Sequence, residues 1–143
     1  MNYEIKNLKT LNTHDGLAFT LTLYKNGKRI GTAENAGRGG CNLYRIKNSE
    51  LQEFARFAAT KVGSETIEPE DAFLEILMNE FFKQEQLKAQ SKKNTLFRVK
   101  GEKAGGFRTV NIPFEARALD FLKSKYGSEL ELVLDRNAKP VAI

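Results

Sequence analysis

The residues of this chain whose types and spacing could do chemistry lie in Asn35-Ala36-Gly37-Arg38-Gly39-Gly40-Cys41-Asn42, where an arginine sits among three glycines ahead of the only cysteine. Glycine is favoured where the backbone takes positive φ or passes close to a bulky group. Backbone N–H groups in such a loop, with Arg38 beside them, would suit an oxyanion, because the guanidinium fork donates paired hydrogen bonds. Both standard phosphate templates fail here. The dinucleotide fingerprint would need a glycine at Asn42, and the P-loop would need Gly-Lys-Ser/Thr running straight into a helix, whereas the next helix is expected near Ser49. Three readings stay open: a generic anion nest, a bulge at a sheet corner, and a contact surface made by Arg38, Gly39 and Gly40 with Arg45 and the nearby hairpin.

Cys41 could act as a nucleophile if His14 approached it, since a Cys–His pair lowers the thiol pKa and supports acyl transfer. The alternative reading is therefore a small enzyme, or an anion- or nucleotide-binding protein, built on this loop with Arg38, Cys41 and His14. Against that, a lone cysteine is commonly a small buried hydrophobe, and His14 beside Asp15 and Gly16 fits a surface turn. One cysteine and one histidine make neither an internal disulfide nor a zinc site. No serine triad or spaced carboxylate pair can be assembled, and no cofactor is implied. Glu68, Glu70 and Asp71 read as helix-start charges.

A length of 143 residues, 41% of them hydrophobic, suits one domain able to bury a core. Ten phenylalanines and no tryptophan make that core dependent on Phe. Met1 to Lys6 holds no apolar leader run and no later run approaches a membrane span, so the expectation is a soluble cytoplasmic protein without a membrane partner. The net charge of +5 divides unevenly. Residues 1 to 47 carry eight Lys/Arg against three Asp/Glu, residues 48 to 91 four against nine, and residues 92 to 143 eleven against six. Basic ends around an acidic middle could steer the molecule toward a polyanion.

Leu17, Phe19, Leu21 and Leu23 alternate with Thr20 and Thr22 as in a half-buried strand, and Asn26-Gly27 marks a type I′ hairpin turn. That turn predicts pairing of Leu23 with Ile30, Leu21 with Thr32, Tyr24 with Arg29 and Thr22 with Gly31. Further strands are expected at Tyr3 to Leu11 and Leu43 to Ile46. Ser49 with Gln52 could form a capping box for a first helix ending at Gly63, and Pro69 opens a second with Phe73, Leu74, Leu77, Met78 and Phe81 inward. Its continuation, Lys83 to Gln90, is nearly all polar. It should project into solvent or toward a partner, including a second copy, and Gln84 to Lys93 is the candidate hinge. Strands at Thr95 to Val99 and Phe107 to Ile112 should flank a turn at Gly101 to Gly106. Pro113 then opens a helix closed by Gly127, and Leu130 to Leu134 alternates as a last strand. The order β-rich, αα, ββ, α, β predicts an α+β fold, antiparallel sheets built from hairpins with about three helices gathered on one face.

Lys25, Lys28 and Arg29 put positive charge on the first hairpin, while Phe97-Arg98 and Phe107-Arg108 alternate phenylalanine with arginine on the second. Each such pair should send the ring inward and the arginine outward, favouring phosphate contact over base stacking. The run Leu23-Tyr24-Lys25-Asn26-Gly27-Lys28, followed by Gly31 and by Asn35 to Tyr44, resembles a pattern in small uncharacterised proteins of phages and mobile elements. So does Leu96-Phe97-Arg98 through Gly106-Phe107-Arg108-Thr109-Val110. The resemblance carries no catalytic residues over and implies only a setting, in which accessory proteins often occupy a host complex. The expected function is non-enzymatic binding of nucleic acid, or of a host nucleic-acid-handling (defence) complex, through Lys25, Lys28, Arg29, Arg38, Gly39, Gly40, Arg45, Arg98 and Arg108.

Overall fold

The computed structural model describes residues 1–103 and 105–143. Its order is β1 (Tyr3–Thr13), β2 (Gly16–Lys25), β3 (Lys28–Asn35), β4 (Leu43–Ile46), α1 (Asn48–Val62), α2 (Pro69–Ser91), β5 (Thr95–Val99), β6 (Arg108–Val110), α3 (Ala116–Tyr126) and β7 (Leu130–Val133). The fold is α+β with two antiparallel sheets, as the pattern of elements predicts. β1-β2-β3-β4 form one sheet and β6-β5-β7 the other. Two compact units result, Met1–Phe81 and Phe82–Ile143, with the boundary inside α2 and just ahead of the polar run Lys83 to Gln90. Ala104, in the expected turn between β5 and β6, lies outside the described residues.

In the first unit the core lies between one face of the four-stranded sheet and two helix faces. Ile5, Phe19, Leu21, Leu23 and Ala33 from the sheet meet Phe54 and Ala58 of α1 and Phe73, Leu74, Leu77 and Met78 of α2. Phenylalanine dominates the packing. The Tyr3 ring stands edge-on to Phe54 at 4.9 Å, and Phe73 lies 5.7 Å from both Phe54 and Phe57. Offset and edge-on rings add attraction to area burial, which for Phe54 alone contributes about 2 kcal/mol.

The strand register differs from the sequence expectation. Tyr24 does face Arg29, but Leu23 faces Gly31, Thr22 faces Thr32 and Leu21 faces Ala33, so Ile30 is an extra residue bulged out of the ladder. A one-residue slip exchanges the two faces of a strand. A second bulge sits on the other side of β2, where Asn7 and Leu8 together oppose Leu21 between the pairs Lys6–Thr22 and Lys9–Thr20. Asn7 takes the left-handed conformation that this kind of bulge requires, with φ of 57°, and asparagine tolerates it better than most residues. Before the bulge odd residues of β1 point inward, and after it Leu8 does. Leu11 is consequently turned outward and is 68% exposed.

Helix boundaries follow the expected signals with two corrections. Neither Asn48 nor Ser49 caps α1; Lys47 precedes it and makes no side-chain cap, while its carbonyl accepts the Leu51 N–H at 2.9 Å. Gly63 closes that helix by donating its N–H to the Ala59 carbonyl, and Pro69 opens α2. α3 begins at Ala116 rather than Pro113, after Glu115 in extended conformation. The polar half of α2 is not wholly solvated either. Phe82 to Gln86 are exposed, but Leu87 packs with Leu96, Leu134 and Ala138.

In the second unit both faces of β5 are covered, Leu96 by that cluster and Phe97 by Leu122, Leu130 and Val133 beneath α3. This changes the place of Arg98. Its side chain shares the Leu96 face, keeps only 16% exposure, lies 5.0 Å from the Phe107 ring and reaches Glu131 at 3.9 Å. The ring of Phe97 goes inward as predicted, yet the neighbouring arginine is enclosed because a second apolar cluster occupies its side of the sheet.

Gly31 makes the β3–β4 register possible. A Cβ there would sit 2.3 Å from the Arg45 carbonyl oxygen and 2.6 Å from Cγ1 of Ile46, at a φ of +151°. Gly31→Ala should therefore cost about 3 kcal/mol in urea unfolding. Gly40→Ala, with open space around it, should stay within about 0.5 kcal/mol. Equal effects at the two positions would refute the close-approach argument.

Candidate binding surface on the four-stranded sheet

The register just described sorts the polar residues of the sheet into rows on the face opposite the core. One row runs Lys6, Thr22, Thr32, Arg45 across all four strands, and the next runs Lys9, Thr20, Glu34, Leu43. Glu4, Tyr24 and Arg29 follow on the hairpin side. Within this surface lies a shallow trough of about 310 Å³ with Thr20, Thr22 and Thr32 on its floor, Lys9 and Asn7 on one bank and Arg45 with Glu34 on the other; Lys6, Tyr24 and Arg29 lie outside its lining. Four strands spaced ~4.8 Å apart place Lys6 and Arg45 about 14 Å from each other.

The trough is braced from the β1 side. The Asn7 side-chain amide reaches Thr22 Oγ1 at 3.4 Å, so the bulge that reverses β1 also presents a donor to the threonine floor. Lys6 Nζ lies 4.6 Å from the centre of the Tyr24 ring and covers the aromatic surface on this face. Arg45 Nε pairs with Glu34 Oε1 at 3.1 Å with both side chains exposed. Such a pair contributes little and exchanges readily for another anion.

The sequence candidates are distributed, not gathered. Arg29 and Arg45 lie on this face. Lys25 is held at the hairpin tip by Glu53 at 2.8 Å and Glu50 at 3.3 Å, and the Glu53 hydrogen bond raises its pKa above the usual lysine value. Lys28 is exposed opposite it. Arg38, Gly39 and Gly40 occupy the loop at the other end of β3, about 25 Å from the tip by strand rise. Hairpin tip and glycine-rich loop are thus at opposite ends of the sheet and form no single patch. Arg98 and Arg108 belong to the second unit, where Glu102 takes the Arg108 guanidinium. Lys6, Lys9 and the threonine rows were missing from the sequence candidates. Their alternation was visible, but the bulges that align them were not.

The glycine-rich loop is a tied structure. Asn35 Oδ1 accepts the Gly37 N–H at 2.8 Å, and its amide donates to the Gly40 carbonyl at 3.1 Å and to Asn42 Oδ1 at 2.9 Å. Gly37 is where glycine is needed: its φ is +73°, and a Cβ would meet Ala18 N at 2.8 Å. The Thr13 hydroxyl, in reach of the Gly37 and Gly16 carbonyls, joins the loop to the β1–β2 turn. Among the described residues no hydrogen bond joins His14, which follows Thr13, to the exposed Cys41. Arg38 is exposed at the loop apex.

Asp71, which reads in sequence as a helix-start charge, closes this network. It accepts from the Asn42 amide at 3.0 Å and from the Tyr44 hydroxyl at 2.5 Å. Burial, reinforced by the hydrogen bond to this carboxylate, pushes the Tyr44 phenol above its usual value of 10.0. Among the described residues no group of His, Cys, Asp and Glu could hold a metal ion, and no helix is long and apolar enough to cross a membrane.

No protein-family model, curated protein or solved structure matches the chain.

A phenol whose folded-state pKa is raised contributes stability that is complete below pH 10 and is lost as pH climbs beyond it. Tyr44 should be the last tyrosine to ionise in an ultraviolet titration. Tyr44→Phe should lose about 2 kcal/mol at neutral pH, because Asp71 forfeits a charge-assisted bond, and should show a shallower alkaline decline than the unaltered chain. Identical alkaline profiles would exclude this role.

Proposed function

We propose that this protein is a non-enzymatic binder of single-stranded nucleic acid, and that the phosphate backbone lies across the open face of the four-stranded sheet. The observation that carries the reading is the row Lys6, Thr22, Thr32, Arg45, with Lys9 and Arg29 beside it. With Thr22 buried beneath Asn7, lysine and arginine neutralise phosphates while the hydroxyls of the more exposed Thr20 and Thr32 hydrogen-bond phosphate and sugar, contacts that set position without reading sequence. The aromatic side chain on this face, Tyr24, is covered by Lys6. Base stacking therefore contributes little, and recognition is independent of sequence. A shallow trough about 14 Å between its cationic banks accepts one strand lying flat. An accessory role in a phage or mobile element, which the resemblance implies, fits such a binder.

The test is fluorescence anisotropy with a short oligothymidylate over a salt series. Affinity should fall steeply with salt, and Lys6→Ala and Arg45→Ala should each flatten the log–log slope by about 0.7. Binding that ignores salt, or that survives both substitutions unchanged, would defeat the proposal.

A further inference from the structure

The second unit carries a concentration of positive charge that the sheet face does not explain. Lys88 in the last turn of α2 and Lys92 just beyond its end, with Arg136 and Lys139 on the turn after β7, line one concavity of about 440 Å³. Against these cations stands Glu85, paired to Lys88 at 3.5 Å on the exposed helix surface. The volume lies within the range of small-ligand sites.

The turn that presents two of the cations is tightly held. Asp135 Oδ1 accepts the N–H groups of Asn137 at 2.8 Å and Lys139 at 3.1 Å, and the Asp135 N–H donates to the Lys139 carbonyl at 2.8 Å. Ala138 adopts a φ of 60°, unfavourable for a residue with a Cβ, and is buried with Leu96 and Leu134. That buried methyl anchors the turn from beneath while Arg136, Asn137 and Lys139 stay exposed. Arg136 is aimed further by its Nε–H, which donates to the Phe114 carbonyl at 3.0 Å. Its terminal nitrogens remain for a ligand.

We infer that this concavity binds a compact, multiply charged phosphate group, the diphosphate unit of a free anion or of a nucleotide. Lys92, Arg136 and Lys139 share a small volume with Lys88, whose charge Glu85 partly offsets, and an anion with several negative charges relieves their mutual repulsion at once. Two lysines provide adaptable point charges, and the arginine and Asn137 provide directed donors. A monocarboxylate would leave most of the field uncompensated. The site is independent of the sheet face, whose residues all belong to the first unit.

Isothermal titration calorimetry of the whole protein with inorganic pyrophosphate and with ADP tests this. Pyrophosphate should bind saturably at one site, and the double variant Lys92→Gln/Lys139→Gln should weaken it by at least roughly tenfold with an unchanged circular dichroism spectrum. The double variant Lys92→Arg/Lys139→Arg should retain binding, and Lys6→Ala/Arg45→Ala, which removes sheet-face charge, should leave it intact. ADP binding of similar strength marks the nucleotide as a source, and pyrophosphate binding alone marks the free anion; either supports the inference. Absence of saturable pyrophosphate binding, ADP binding without it, or full affinity in the Lys92→Gln/Lys139→Gln variant overturns it.

Discussion

The single bulged residue Ile30 is the constraint on which the first unit depends. Counting from the Asn26-Gly27 turn alone, Thr32 would face the core opposite Leu21, and Ala33 would face outward. With Ile30 displaced, Ala33 closes the core against Leu21 while Thr32 joins Thr22 on the far side. The slip exchanges a buried hydroxyl for a buried methyl, and an unpartnered buried hydroxyl costs free energy that a methyl does not. The same slip aligns Thr32 between Thr22 and Arg45. Core packing and the composition of the outer face are therefore one event, decided at one backbone position.

The bulge on β1 answers the one on β3. β2 stands between them, and its regular alternation from Leu17 to Lys25 is the template against which both neighbours adjust. At Asn7 the adjustment requires a left-handed residue, and the asparagine amide then reaches Thr22. At Gly31 it requires the absence of a side chain, since β4 passes within 2.3 Å of where a Cβ would stand. Bulges raise local twist and re-aim side chains. Here they gather cations from the first strand and the last onto one surface.

This also explains what the sequence reveals and what it hides. Strands β2, β4 and β5, the hairpin turn, the glycine stop of α1 and the proline start of α2 are legible because each rests on local chemistry within a few residues. The register beyond Tyr24 is not, because the slip is resolved only by the packing of Ala33 and Ile46 against partners distant in sequence. Arg98 fails for a related reason. Alternation correctly assigns it the face opposite Phe97, but a rule of alternation carries no information about whether a second cluster, here Leu87, Leu134 and Phe107, covers that face. Asp71 looks like an ordinary first-turn acid. Its bonds to Asn42 and Tyr44 span 29 and 27 residues and exist only once α2 has docked.

The glycine-rich loop has a structural role of its own. Its density of glycines has different causes at different positions: Gly37 is confined by Ala18, whereas Gly39 and Gly40 border open space. Around them Asn35 uses both of its amide donors and one acceptor position within the loop, and Asn42 passes the connection on to Asp71. These bonds, with that of the Thr13 hydroxyl, engage the Gly37 N–H and the carbonyls of Gly37 and Gly40, and what they secure is the return of the chain from β3 into β4. That return delivers Arg45 to its place beside Thr32. The loop therefore serves the sheet face through geometry, by fixing the last strand of the surface, whatever Arg38 at its apex contacts.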